Sequence, residues 1–282
     1  MNEQARDVLS APESALQRLL ARQPVLGVLQ ALPSATVTEL ALWSGYDFVM
    51  LDCEHALVDE PAQLGSLQVI AGSPAFAAVR VRPGDLSAVG RYLEFGADCV
   101  LMPDVQTPQE AAAFVAAATY GPVGTRSSTS TGTRATRYGL TPGSAAPERG
   151  LLLALIEGRR GVDHVEAIAA TPGLDGLVIG SHDLSADLGS PGVHSTPEYQ
   201  SAFARIERAA KGSGLILGGG AHPDYPLERL AHAGFCFLLA SVDFLALREG
   251  YRAHLETARR SLSRAREWGP LSHSHTEVRG ST

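Results

Sequence analysis

With 282 residues, the chain is long enough for one barrel-sized domain or two smaller ones, and its net charge of −7 argues against a nucleic-acid partner. Hydrophobic residues at 45% and charged residues at 19% are typical of a folded globular protein and exclude a largely disordered chain. No apolar run approaches the roughly 18 residues that span a bilayer, so we expect no membrane partner.

Short apolar runs rich in Val, Ile and Leu alternate with longer amphipathic stretches along the chain. Continuous runs of this kind are typical of parallel strands that are covered on both faces. The sequence predicts eight strands, at residues 25–29, 48–51, 77–81, 99–102, 152–156, 176–179, 215–217 and 235–240. It predicts helices at residues 36–44, 60–71, 86–95, 107–119, 162–170, 197–212, 226–233 and 243–267.

Eight strands that alternate with helices are the count for a (β/α)₈ TIM barrel, an α/β fold of one domain. A doubly wound open sheet would normally carry a glycine fingerprint after the first strand, and residues 29–33 contain none. We therefore predict a barrel at residues 23–267. An N-terminal extension at 1–22 precedes it, and a disordered C-terminal tail at 268–282 follows it.

One segment, residues 121–150, interrupts the alternation with Gly, Ser, Thr, Arg and Pro. Loops of this length are usually functional lids or disordered segments. Its Arg126, Arg134, Arg137 and Tyr138 suit either contacts with an anionic substrate or a solvated loop.

The three cysteines, Cys53, Cys99 and Cys236, lie far apart and show no CxxC spacing. This pattern argues against a structural disulfide or a zinc cage. Residues 1–20 mix acids and Arg without the apolar segment of a signal peptide. We therefore expect a protein of the reducing cytoplasm.

Polar side chains follow several of the predicted strands. They are Asp52, Glu54 and His55 after the second strand, Arg80 at the third, Glu157 after the fifth, and Asp183 just beyond the sixth. The carboxyl ends of barrel strands surround one mouth, so we expect these side chains to lie close together. Buried ionisable groups are costly unless they are paired or used, which makes this mouth the candidate active site.

The residue types indicate the chemistry. Glu157 and Asp183 offer oxygen ligands without a ligand-spaced histidine pair, which suits Mg²⁺ or Mn²⁺. Arg80 offers a planar fork for a carboxylate or a developing enolate oxygen. His55 can act as a base near neutral pH, with Asp52 orienting its ring. Together they predict an enzyme that enolises a 2-oxo acid with a metal as Lewis acid.

Each of these residues also has a purely structural interpretation. Asp183 could cap the helix that follows it, and His55 could be a hydrogen-bonded core histidine. Glu157 could pair with Arg159 and Arg160. The catalytic interpretation is preferred because the ends of four strands all carry polar side chains suited to the same chemistry.

These motifs resemble those of the HpcH/HpaI-type metal-dependent pyruvate aldolases, which cleave 4-hydroxy-2-oxo acids. The similar segments keep the family's order between about residues 26 and 247. They are Leu51-Asp52-Cys53-Glu54-His55-Ala56, Val79-Arg80, Leu93-Glu94-Phe95-Gly96-Ala97, Met102-Pro103-Asp104-Val105-Gln106, Leu155-Ile156-Glu157 and Gly180-Ser181-His182-Asp183-Leu184-Ser185-Ala186-Asp187-Leu188-Gly189. The last segment is the most specific.

The resemblance implies that Glu157 and Asp183 bind the metal, Mg²⁺ or Mn²⁺ with Co²⁺ as a further candidate. It implies that Arg80 holds the substrate and stabilises the enolate, while His55, backed by Asp52, handles the proton of the 4-hydroxyl.

The same resemblance implies that Gly180, Ser181 and His182 receive the pyruvate carboxylate. It also implies a homotrimer or homohexamer in which the last helix is exchanged between subunits, a role that the long helix at 243–267 fits.

Two departures from the family pattern bear on the substrate. Leu155 stands where glutamine is common, and His182 stands where Ala, Ser or Asn is common. We predict an aldolase for pyruvate or oxaloacetate and a carbonyl acceptor. The alternative enzyme keeps the enolate but decarboxylates oxaloacetate, or performs a citrate-synthase-like or specialised biosynthetic condensation. A third hypothesis is a barrel that binds oxo acids without turnover.

Overall fold

The structure, a computed structural model, describes residues 14–56, 59–127, 132–140 and 149–267. The chain divides into two compact units between Asp243 and Phe244. The first unit holds the strands and most of the helices, and the second holds the long terminal helix. The predicted barrel range of 23–267 thus spans both units, whereas the predicted tail at 268–282 lies outside the described residues.

Eight parallel strands form a closed barrel and follow one another in chain order around it. Strand β1 pairs with β2 on one side and with β8 on the other, which closes the sheet. The (β/α)₈ prediction is therefore confirmed. The strands are β1 (Val25–Gln30), β2 (Phe48–Asp52), β3 (Phe76–Arg80), β4 (Cys99–Met102), β5 (Leu151–Ile156), β6 (Gly176–Ile179), β7 (Ile216–Gly220) and β8 (Phe237–Val242).

The helices largely follow the predicted segments. They are α1 (Ala15–Leu20), α2 (Ala35–Trp43), α3 (Glu60–Ile70), α4 (Leu86–Phe95), α5 (Pro108–Ala118), α6 (Arg159–Asp163), α7 (Val165–Ala169), α8 (Ser181–Asp187), α9 (Pro197–Gly212), α10 (Leu227–His232) and α11 (Asp243–Glu267). Helix α1 was not predicted, and α8 was anticipated only as a helix that Asp183 could cap. The predicted helix at 162–170 is replaced by the short pair α6 and α7.

Capping residues define several helix ends. The hydroxyl of Thr107 accepts the N–H of Glu110 at 3.2 Å at the start of α5. Gly96 ends α4 with φ of 94°, a conformation that a residue with a side chain rarely adopts. Local capping chemistry therefore fixes where these helices begin and end.

The barrel interior is filled at its amino end by an aromatic stack. The ring of Phe48 lies 5.0 Å from that of Phe76 and 4.3 Å from that of Phe237, measured between centroids. Gly27 on β1 has no side chain there, and a Cβ would overlap the Phe48 ring. Leu19 of α1, inside the predicted extension, is fully buried in the same cluster. Side chains therefore fill the barrel interior at this end.

The long loop between α5 and β5 is partly described. A single 3₁₀ turn occurs at Arg137–Gly139, and residues 128–131 and 141–148 lie outside the described part. Arg126 is buried over the ring of Tyr120, and Arg134 donates to the carbonyl of Phe95 at 2.6 Å. Nε and Nη2 of Arg126 have no hydrogen-bond partner in the described residues, whereas Arg134 is held by the protein itself. Across the described residues, no helix is long and apolar enough to cross a membrane.

Candidate active site

The predicted site residues lie at the carboxyl ends of the strands. Asp52 ends β2, Arg80 ends β3, Glu157 directly follows β5, and Asp183 lies in the first turn of α8, just after β6. In a barrel of parallel strands these ends surround one mouth. A cleft of about 750 Å³ opens there, and its lining includes Glu54, His55, Asp104, Glu157 and Asp183.

Arg80 is fixed by two carboxylates. Its Nε donates to Asp52 Oδ1 at 3.0 Å, and its Nη2 lies 2.9 Å from Asp52 Oδ2. Glu54 Oε2 lies 3.2 Å from the same Nε. Burial alone would lower the pKa of Arg80, but Asp52, Glu54 and Glu157 raise it. The guanidinium is therefore charged and rigidly oriented.

Asp52 does not contact the ring of His55 as predicted. Its Oδ1 accepts the backbone N–H groups of Glu54 at 3.0 Å and of His55 at 3.4 Å. Within the described residues, the carboxylate nearest to the ring is that of Glu54, whose Oε2 lies 3.7 Å from His55 Nε2. Asp52 thus holds the turn after β2, and the ring of His55 is 65% exposed at the rim. The interpretation of His55 as a core histidine does not fit this exposure.

Glu54 was given no role in the sequence analysis, although it lies in the same motif. Its side chain is only 11% exposed and bridges Arg80 and His55. Burial raises the pKa of Glu54, and the charge of Arg80 opposes the rise. Because the carboxylate of Glu54 contacts both Arg80 and His55, it is well placed to couple the charges of these two side chains.

Glu157 is the most perturbed carboxylate of the cleft. Burial, together with the charges of Glu54, Asp183 and Asp104, raises the pKa of Glu157 to about 8, although the N–H of Asp104 opposes the rise. That N–H donates to Glu157 Oε1 at 2.8 Å. Among the described salt bridges, none joins Glu157 to Arg159 or Arg160. The structural interpretation of Glu157 is thus not supported.

The junction between β6 and α8 brings Asp183 toward Glu157. Gly180 precedes α8, and a Cβ there would lie 2.5 Å from Glu157 Oε2. The absence of a side chain lets the carboxylate lie against the backbone. Ser181 is half-buried, while His182 and Asp183 are exposed in the first helical turn. Asp183 is inside the helix and does not occupy the capping position.

Residue 104 was also missed as a site residue. Asp104 has φ of 50°, and both of its carboxylate oxygens accept from Gln106 Nε2 at 2.9 Å. With Glu54, Glu157 and Asp183 it makes an oxygen-rich, negatively charged cleft. This donor set fits a hard divalent cation, which would relieve the repulsion among the carboxylates.

A separate group of ligand-type side chains lies after β6 and β7. One ligand atom from each of His194, His222 and Asp224 lies within 4.8 Å of the others. The sequence does not reveal this group, because His194 and His222 are 28 positions apart. The pair His222 and Asp224, two residues apart, was the only local signal.

Known proteins similar to this chain agree on one family. The profile described as HpcH/HpaI aldolase/citrate lyase matches residues 26–243. A hydroxypyruvate/pyruvate aldolase of Sagittula stellata is 35% identical over 256 residues, which cover 89% of this chain and 95% of the relative. A 4-hydroxy-2-oxovalerate aldolase of Rhodococcus jostii is also 35% identical, over 83% of this chain and 92% of the relative.

A solved structure gives the same result. An HpcH/HpaI aldolase/citrate lyase family protein from Burkholderia cenocepacia superimposes with a TM-score of 0.80 at 32% identity. The match covers 86% of this chain and 98% of the other.

Proposed function

The chain belongs to the HpcH/HpaI aldolase/citrate lyase family and is an aldolase, a carbon–carbon lyase, and we propose that it makes or cleaves 4-hydroxy-2-oxo acids through the enolate of pyruvate. The observation that carries this proposal is a cleft lined by Glu54, Glu157 and Asp183, with the fixed guanidinium of Arg80 held against Glu54. Such a cleft can stabilise negative charge on a keto acid.

Enzymes of this family depend on a metal, and we assign the ion to Glu157 and Asp183. Mg²⁺ or Mn²⁺ suits these oxygen ligands best, and Co²⁺ is a further candidate. When bound, a divalent ion supplies a Lewis acid that polarises a carbonyl group. Glu157 must then be deprotonated, and a nearby cation favours that form.

Arg80 would stabilise the enolate oxygen. Within the described residues, Asp52 contacts Nε and Nη2 of Arg80. Nη1 is therefore left to bind a substrate oxygen. Because the fork is already oriented, little reorganisation is needed when charge develops on the substrate.

His55 would accept the proton of the substrate's 4-hydroxyl, directly or through a water. Cleavage of C3–C4 then leaves the aldehyde, and the bonding pair becomes the enolate of pyruvate. A proton returned to C3 completes pyruvate. Glu54 can stabilise the imidazolium that forms, since its carboxylate lies beside the ring.

The carboxylate of pyruvate is assigned to Gly180, Ser181 and His182. The N–H of Gly180 is bonded to the carbonyl of Ile156, whereas the first N–H groups of a helix have no partner within it. Ser181 and His182 therefore supply the N–H donors at the opening of α8, and Gly180 allows a close approach because it has no side chain.

The rival enolate enzymes rest on Leu155 and His182. Leu155 is 5% exposed and packs in the apolar interior of the barrel, two residues before Glu157. His182 is exposed at the mouth, so both residues lie where they could alter the partner of the enolate.

We also propose that the protein is cytoplasmic and forms a homotrimer or homohexamer through α11. The three cysteines are free and buried, which fits a reducing compartment. Leu247, Tyr251, Leu255 and Leu262 are exposed at helical spacing on α11, and an apolar stripe of this kind needs a partner.

The test is to incubate the protein with Mg²⁺ or Mn²⁺, pyruvate and a panel of aldehydes, and to detect 4-hydroxy-2-oxo acids by mass spectrometry. Metal-dependent product from at least one aldehyde is expected. Failure with every aldehyde, while oxaloacetate is decarboxylated or condensed, would favour the rival enzymes. Binding of oxo acids without any turnover would favour the non-catalytic barrel.

A further inference from the structure

A second polar cluster at the mouth has no role in the proposed aldolase reaction. It joins His194, in the loop before α9, to His222 and Asp224, in the loop after β7. The rings of His194 and His222 lie 3.8 Å apart between centroids, and His194 Nδ1 lies 3.7 Å from Asp224 Oδ2. Two loops that are distant in sequence therefore meet through ligand-type side chains.

Three imidazole nitrogens of this cluster are buried without a hydrogen-bond partner in the described residues. His194 is 8% exposed, and its Nε2 has no hydrogen-bond partner in the described part of the chain. The same holds for both ring nitrogens of His222. Leaving such groups unpaired is costly, so three buried nitrogens in one cluster indicate a missing partner.

A metal ion would take one ring nitrogen from each histidine as a ligand. A neutral imidazole is the form that binds metals. Asp224 adds an anionic oxygen and is 47% exposed, which leaves an open route for an ion.

We propose that His194, His222 and Asp224 bind a borderline divalent cation such as Zn²⁺, at a site distinct from the carboxylates Glu157 and Asp183. Two imidazoles and one carboxylate are a set of ligands typical of zinc, with water in the fourth position. Closing atoms that lie within 4.8 Å of one another onto bonds of about 2.0–2.2 Å needs only small side-chain movements.

The ion would tie the two loops together beside the proposed carboxylate pocket. The ring of Tyr199 packs edge-on against His194, with centroids 4.9 Å apart. The hydroxyl of Tyr199 is itself buried without a hydrogen-bond partner in the described residues. The ion would therefore stabilise the packing of these two loops against Tyr199, and we assign it a positioning role.

The test measures zinc in the full-length chain when the mouth carboxylates are disabled. In a Glu157→Gln, Asp183→Asn double variant, bound Zn²⁺ is counted by elemental analysis after dialysis, and Co²⁺ is added to a second sample for its visible spectrum. One tightly held Zn²⁺ and the absorption of four-coordinate Co²⁺ are expected. Adding His222→Gln or Asp224→Asn to that background should weaken Zn²⁺ binding at least tenfold.

His232→Gln in the same background is the matched control, because His232 is an exposed histidine outside the cluster, and it should leave Zn²⁺ binding unchanged. Circular dichroism verifies that each variant is folded. Equal Zn²⁺ content and affinity with and without His222, or no ion in the parent double variant, would overturn the proposal. Neither result depends on aldolase turnover, so the proposed function stands or fails separately.

Discussion

Arg80 has a geometry that a lysine could not reproduce. Asp52 contacts two nitrogens of its planar guanidinium, and Glu54 contacts Nε, so the orientation of the remaining nitrogen, Nη1, is fixed. Lysine is a flexible point charge and cannot form a bidentate pair with Asp52 while it also reaches the substrate. The orientation of the cation, not only its charge, is therefore expected to matter.

We predict that Arg80→Lys lowers kcat/KM of the aldolase about 100- to 1,000-fold, the range found when an oriented donor to a developing oxyanion is lost. Steady-state kinetics with the best aldehyde measures the effect. Arg82→Lys is the matched control, since Arg82 is exposed two residues later and should keep near-normal activity. Equal losses in both variants would contradict the assigned role of Arg80.

Cys53 gives a prediction about pH. Burial raises the pKa of its thiol to about 11, and the hydrogen bond to Tyr92 opposes the rise. An unfolded thiol titrates near 8.5, so its contribution to the free energy of unfolding is complete below that pH and is lost as the pH rises through about 11.

Urea unfolding between pH 8 and 11 should therefore show a shallower loss of stability for Cys53→Ala than for the parent chain. The expected difference grows with pH and is negligible at pH 8 apart from a constant packing cost. Parallel curves across the whole range would show that this thiol has no raised pKa.

At the scale of single residues, the sequence indicated that Glu54, His55, Glu157 and Asp183 lie at one mouth, because the ends of apolar strands are visible as patterns, but it gave no sign of Asp104. It did not predict their partners. Asp52 was expected on the ring of His55, yet it binds Arg80 from the neighbouring strand. The hydrogen-bond partner of a side chain depends on its rotamer and on the register between strands, and the local sequence determines neither.

At the scale of elements, the junction of β6 and α8 is the most constrained part of the site. Gly180 has an ordinary backbone conformation, with φ of −84°, so it is a glycine for reasons of space. A Cβ would meet the side chain of Glu157 at 2.5 Å. The proposed metal ligand would have to move to accommodate it.

Gly180→Ala is accordingly expected to weaken Mn²⁺ binding and lower kcat at least about tenfold, since displacing a reacting group by about 1 Å can cost about 100-fold. Isothermal titration with Mn²⁺ gives the affinity. Gly212→Ala serves as control because nothing lies within 4 Å of the added carbon. Normal Mn²⁺ affinity in Gly180→Ala would refute this account of the junction.

The helices whose bounds the sequence did not predict are short and locally ambiguous. Helix α8 overlaps the motif at 180–189, where chemistry rather than periodicity dominates the pattern. Helix α1 has only six residues, and its place in the fold depends on burying Leu19 in the barrel interior. Such helices are stabilised by tertiary packing more than by propensity, so periodicity alone does not detect them.

At the scale of the whole molecule, the exposed apolar stripe on α11 predicts self-association. We expect Tyr251→Glu combined with Leu255→Glu to reduce the molar mass in solution, measured by light scattering during size exclusion, from a trimer or hexamer to smaller species. Ala253→Glu is the control, because position 253 lies on the opposite face of the same helix. An unchanged molar mass in the double variant would remove α11 from the interface.

We propose that a divalent cation at Glu157 and Asp183 promotes enolisation of a keto acid. Proton NMR of pyruvate in deuterated buffer tests it directly, since enolisation exchanges the methyl protons. With Mg²⁺ present, the parent chain should exchange these protons, and Glu157→Gln or Asp183→Asn should slow the exchange at least about 100-fold. Exchange at the parent rate in both variants, or exchange that is indifferent to removal of Mg²⁺, would contradict the account.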